Sequence, residues 1–300
     1  MKNLQSPFFV QRVRVSRFIK LFAALLGGIL VSTGVLAHEA KGRLPLGDGK
    51  ISASPQRGYV MACNTSFRGG GAHRVGEWIG GGTWDPDAKP LVEGRVMWPN
   101  ATVSITREGV QRVIRANNLP THASGEFPVR SGTLAYSYDR NPNPIREQNV
   151  LLRLPAEPVL AAQASCVPMG MIGFALSGAA IFNAFDAQGR DAPAYEIQDL
   201  CNGHPQRSGS YHYHDWSPCM GKDAAGKDYP TNLPVGWMLD GLPILGPVDE
   251  RGKTVTNNDL DECHGRVGPV LIDGQVRQMY HYRFTREYPY TIGCFRGARH

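Results

Sequence analysis

One stretch of this chain is written twice. Residues 173–190, GFALSGAAIFNAFDAQGR, align without gaps on residues 236–253, GWMLDGLPILGPVDERGK. Gly173, Leu176, Gly178, Ile181, Asp186 and Gly189 recur as Gly236, Leu239, Gly241, Ile244, Asp249 and Gly252. Farther on, Asp199-Leu200-Cys201-Asn202-Gly203 answers to Asp261-Glu262-Cys263-His264-Gly265, and Tyr211-His212-Tyr213-His214 to Tyr280-His281-Tyr282-Arg283. Each copy closes on a cysteine, Cys219 or Cys294, so the related copies run over about 173–219 and 236–294. A duplicated supersecondary unit buries its apolar face against its sister. The two copies are therefore expected to build one core, and histidines of both can converge at the join.

The punctuation of the copies is that of β-hairpins. Ser177-Gly178 and Asp240-Gly241 each stand between two apolar runs, where a two-residue turn belongs, and Asp273-Gly274 opens another hairpin into the alternating stretch Gln275–Thr285. Before the copies, Leu91–Trp98, Thr102–Arg107, Val110–Arg115 and Val150–Leu154 are rich in branched and aromatic residues and read as short strands. Long helical periodicity is absent, with only a brief helix expected near Pro193–Leu200. The expectation is a mostly β, antiparallel, sandwich-like domain built on an internal tandem duplication and supported by disulfides. Glycines crowd 69–82 without the GK[ST] ending of a phosphate loop, so they read as a permissive loop.

Residues 1–37 read as an export signal, with a basic start (Lys2, Arg12, Arg14, Arg17, Lys20), an apolar run over Leu21–Ala37, and small residues at Val35 and Ala37. Cleavage after Ala37 gives a periplasmic or secreted protein, whereas an uncleaved run over 21–37 would anchor it to a membrane. No later segment is apolar for long enough to span. Residues 38–57 read as a polar linker, and 58–297 as the folded domain. The signal holds five basic and no acidic residues, so the formal charge of +6 falls to +1 in the mature chain. A nucleic-acid partner loses its support. All six cysteines lie in the mature part, and equivalent loops imply Cys201 with Cys219 and Cys263 with Cys294, leaving Cys63 for Cys166.

Side chains alternate along a strand, so in Gln275–Thr285 the residues Val276, Tyr280, Tyr282 and Phe284 share one face and Arg277, His281, Arg283 and Thr285 the other. By equivalence Tyr211 and Tyr213 face the core, and His212 and His214 project together from the polar face. Imidazoles at i and i+2 can hold one divalent cation, zinc or copper. His204 and His281 are the next candidate ligands, with His264 beside Cys263 and His122 after Pro120-Thr121 behind them, and Asp215 and Glu262 as oxygen donors. No GxSxG elbow or HExxH helix is present, and no catalytic residue is assigned.

The runs Cys201-Asn202-Gly203-His204-Pro205, Gly209-Ser210-Tyr211-His212-Tyr213-His214, Asp240-Gly241-Leu242-Pro243-Ile244 and Cys294-Phe295-Arg296-Gly297 resemble the YHYH-domain family. The likeness runs from about Gly58 to Gly297 and includes Asn118-Leu119-Pro120-Thr121-His122 and Glu126-Phe127-Pro128; Arg283 departs from a repeated histidine. The resemblance implies an exported protein and names no reaction. Three functions follow as expectations. The first is transition-metal binding through His212 and His214 with His204 and His281, and the second is a metal-dependent enzyme. The third is a metal-free module that grips a glycan or anion through Trp78 and Trp84 or through Arg277 and Arg283.

Overall fold

The computed structural model of the chain describes residues 42–222 and 226–298. The expected export signal, residues 1–37, lies outside them. Eight short strands form the principal sheet: β1 (Met171–Ala175), β2 (Ala180–Phe182), β3 (Gly203–Pro205), β4 (Tyr211–Tyr213), β5 (Gly236–Met238), β6 (Pro243–Leu245), β7 (Gly265–Ile272) and β8 (Gln275–Arg283). Their spatial order is β3-β4-β2-β1-β5-β6-β8-β7. Exchanging β1–β4 for β5–β8 leaves this order unchanged when it is read from the other end.

Pairing senses obey the same exchange. The hairpins β1/β2 and β5/β6 are antiparallel, β2/β4 and β6/β8 are parallel, and β3/β4 and β7/β8 are antiparallel. At the centre β1 pairs antiparallel with β5, with Phe174 opposite Trp237 and Gly173 opposite Met238. Ile181 pairs with Tyr213 in one half, as Ile244 pairs with Tyr282 in the other. The turn glycines Gly178 and Gly241 take φ values of +82° and +84°, a region open to glycine at little cost.

Both faces of this sheet are covered. On one, Tyr211, Tyr213, Tyr280, Tyr282, Ile181 and Ile244 join the larger core. On the other, Phe174, Phe182, Trp237, Leu245 and Ile272 meet Ile114 and Leu154 of a three-stranded antiparallel sheet, Val103–Glu108, Gln111–Ala116 and Val150–Pro155. Arg112 stacks over Trp237 at 4.0 Å and donates two hydrogen bonds to Asp273, fixing one sheet on the other.

Three disulfides join Cys63 to Cys166, Cys201 to Cys219 and Cys263 to Cys294. The second brackets β3 and β4, and the third brackets β7 and β8. Such loops stabilise by constraining the unfolded chain, by about 3 kcal/mol for one the size of Cys201–Cys219. Among the described residues no helix is long and apolar enough to cross a membrane.

Several expectations change. Leu91–Trp98 forms only isolated bridges, Val92 to Asp199 and Val96 to Ser124, because Gly94 and its charged neighbours interrupt the alternation. The brief helix is four residues long, Ala192–Tyr195. Residues expected in a polar linker are tied in: Leu44–Pro45 pairs with Thr83–Trp84, Ile51–Ser52 with Val60–Met61, and Gly47 N–H donates to Asp191. Trp78 and Trp84 are buried, with the Trp78 indole N–H on the Ala194 carbonyl, so they offer no exposed platform to a glycan. The face opposite the tyrosines is not a solvated one: His212, His214, His281 and Arg283 are all buried, with loop residues 69–73 and 139–143 around the first two and Thr231, Gly246 and Val248 around Arg283.

Candidate metal centre

β4 sets the spacing of the centre. His212 and His214 lie two residues apart, in and just after the second strand of the sheet, and the antiparallel pairing of the edge strand β3 places His204 directly across from His212. Residues i and i+2 and a direct cross-strand partner share one face, so backbone register alone brings the three imidazoles together. Gly203 lets the strands approach: a Cβ there would lie 2.2 Å from the Tyr211 ring. One ring nitrogen from each of His204, His212 and His214 lies within 4.8 Å of the other two, and all three residues are buried.

Hydrogen bonds fix which nitrogen is offered. His212 Nδ1 sits 3.1 Å from the Ser210 carbonyl, and His214 Nδ1 contacts the Asn183 carbonyl. A carbonyl can only accept, so each Nδ1 carries the proton and each Nε2 keeps its lone pair. Those two Nε2 atoms face each other at 3.1 Å. Two lone pairs at that distance repel unless an electrophile lies between or beside them. Two nitrogens at the usual zinc distance of about 2.0–2.1 Å, set at a tetrahedral angle, are about 3.3 Å apart. Neither nitrogen of His204 has a hydrogen-bond partner among the described residues.

A carboxylate completes the set. Glu196 follows the short helix, and its Oε2 lies 3.4 Å from both His204 Nε2 and His214 Nε2, with no hydrogen-bond partner. Burial, then the neighbouring Asp139 and Asp186 carboxyls, push the Glu196 carboxyl well above its usual range. Burial also holds His204 and His212 well below the ordinary imidazole value and His214 at about 4. At neutral pH the imidazoles are thus uncharged, the form that ligates metals, and the 3.4 Å approach is not an ion pair. Phe182 stacks on His212 with centroids 3.9 Å apart, holding the ring.

The centre opens onto a cleft of about 770 Å³ whose walls include Met169, Phe182, Phe185, Asn141 and the mouth residues Arg140 and Arg207. A metal held here would have one side toward solvent.

The other candidates lie elsewhere. β4 and β8 are separated by four intervening strands, about 24 Å at the usual spacing, so His281 does not reach the triad and the histidines of the two halves do not converge. His281 Nε2 instead accepts from Arg283 Nε at 3.3 Å. His264 sits in a turn at φ +71° and contacts Thr285 Oγ1 at 2.9 Å. His122 lies on the tyrosine face, against the Tyr213 hydroxyl and beside the Cys201–Cys219 disulfide, whose sulfurs are spent on each other. Asp215 accepts from Asn202, and Glu262 is exposed. Glu196 escaped the sequence reading. Its signal was a lone acid between Tyr195 and Ile197 in an otherwise apolar stretch.

Neither a curated protein nor a solved structure matches this chain. Residues 151–257, which hold β1–β6, the three histidines and Glu196, match the family model described as YHYH protein, so over that segment the chain carries the YHYH domain, with Tyr211-His212-Tyr213 forming β4 and His214 following it.

Proposed function

We propose that this protein is an exported transition-metal-binding protein that holds zinc or copper through His204, His212, His214 and Glu196. The observation that carries the reading is the pair of Nε2 atoms 3.1 Å apart, each ring backed by a carbonyl at its Nδ1. Such outer partners are the usual way a protein orients a ligating imidazole. The unpartnered nitrogens of His204 and the unpartnered Glu196 Oε2 add to it, because buried polar atoms without partners cost about 1–3 kcal/mol each unless something binds them. Three imidazoles and a carboxylate suit zinc or copper over calcium or magnesium.

Three disulfides fit an oxidising compartment, periplasmic or extracellular. Export through a signal cleaved after Ala37, with retention by residues 21–37 as the alternative, belongs to the same reading, as does a domain over 58–297. The palindromic strand order supports an origin by tandem duplication, and the two facing sheets support a sandwich-like description.

A second reading, a metal-dependent enzyme, draws on the cleft. A metal with one face toward that opening could take water or a small ligand in an exchangeable position and activate it. Azide binding to the copper form, read from its absorption band, separates this from a closed carrier site.

The test of the main reading is elemental analysis of residues 38–300 purified from an oxidising compartment without chelators, beside His212→Ala/His214→Ala. Near-stoichiometric zinc or copper that disappears in the variant supports it, and a metal-free wild type refutes it.

A further inference from the structure

The second half of the sheet repeats the geometry of the first with one exchange. His281 Nδ1 sits 3.2 Å from the Met279 carbonyl, as His212 Nδ1 does from Ser210, two residues back in each strand. Its Nε2 therefore also presents a lone pair. Where His214 meets the Asn183 carbonyl, Arg283 donates to Gly246, the residue in the same place after β6 that Asn183 takes after β2. Where His214 Nε2 faces His212 Nε2 at 3.1 Å, Arg283 Nε donates to His281 Nε2 at 3.3 Å. Arg266 pairs across from His281, as His204 does from His212.

Arg283 is fully buried, and its Nη1 also reaches the carbonyls of Val248 at 2.8 Å and Thr231 at 3.2 Å. A carboxylate, Glu250, lies 3.7 Å from Nη2. A cation among an imidazole lone pair and carbonyl oxygens is the arrangement a metal would otherwise adopt, except that this cation is attached to the chain. We propose that the second half holds a latent site for the same class of metal, zinc or copper, kept shut by the guanidinium of Arg283 with Arg266 in the third ligand position. The inference rests on the metal reading of His204, His212 and His214. It confines exchangeable metal to one site per chain in a sheet whose backbone provides two.

The experiment exchanges the ligand sets in the full mature chain and counts zinc per protein after dialysis, with circular dichroism as the check on folding. Wild type is expected to retain about one equivalent, Arg266→His/Arg283→His about two, and His204→Arg/His214→Arg none while staying folded. A folded Arg266→His/Arg283→His protein that stays at one equivalent overturns the proposal. If that variant does not fold, the reverse exchange decides: His204→Arg/His214→Arg must be folded and zinc-free, and an unfolded or zinc-retaining protein overturns it. A wild type without zinc fails differently, since it removes the first site and the inference with it.

Discussion

The two halves of the eight-stranded sheet agree on one face and part on the other. On the tyrosine face each hydroxyl finds an equivalent partner: Tyr211 on Asp199 and Tyr280 on Asp261, Tyr213 on Ser177 and Tyr282 on Asp240. Each pair ties the outer strands to a turn that the fold needs. On the histidine face, the first half converges unprotonated nitrogens and a carboxyl, while the second satisfies the same positions with a tethered guanidinium. What is shared holds the architecture, and what differs is where chemistry can occur. In the second half the guanidinium occupies the imidazole lone pair and the carbonyls a ligand would need, and only its Nη2, 3.7 Å from Glu250, lacks a hydrogen bond. A site whose polar atoms remain unpartnered can still take a ligand.

Four outcomes would break or sharpen this contrast. The largest is expected from His212→Ala/His214→Ala, which removes two of four donors and should lower zinc affinity on the order of 10⁴-fold by calorimetry, with the sheet retained. Next is Tyr213→Ala, which should cost about 3–5 kcal/mol in urea unfolding of the metal-free protein, because it empties a fully buried ring position on the shared face. Equal effects of the two on metal-free stability would erase the division between faces. Arg283→Met strips the donor from three part-buried carbonyls and should cost about 3 kcal/mol while leaving metal content unchanged. Loss of metal with it would mean that the halves are not independent.

The smallest effect is on pH. His214 in the folded, metal-free protein is held at about 4, below its unfolded value, so the unfolded chain binds the proton first on acidification. Its contribution is absent near pH 7 and destabilises as pH falls toward the folded value, by about 2 kcal/mol between pH 7 and pH 5. Comparing chelator-treated wild type with His214→Phe at both pH values isolates it. The buried carboxyl of Asp191, raised to about 7, acts with the opposite sign, so the comparison between proteins matters and not the raw profile. A wild type no more acid-sensitive than the variant would contradict the buried, neutral imidazole.

Much of this was legible in residue order because it depends on local geometry. Ser177-Gly178 and Asp240-Gly241 are hairpin turns since glycine tolerates their positive φ, and His212 and His214 share a face since strands alternate. The substitution of Arg283 for a histidine marked the asymmetry in advance. Burial of the histidine face was not legible, because it depends on distant loops, residues 69–73 and 139–143, that wall the centre from elsewhere in the chain. Glu196 was missed for the same reason: it reaches the triad from the end of a four-residue helix, by a path no strand periodicity describes. His281 was placed too near, since equivalence in sequence puts it at the mirrored end of the sheet and not beside its counterpart.

The most direct measurement is an anomalous-scattering map from crystals of the zinc-loaded protein, collected on both sides of the zinc absorption edge. The account predicts one peak about 2.0–2.2 Å from Nε2 of His204, His212 and His214, with none beside His281 and Arg283. No peak at the triad, or a peak of equal height in the second half, would contradict it.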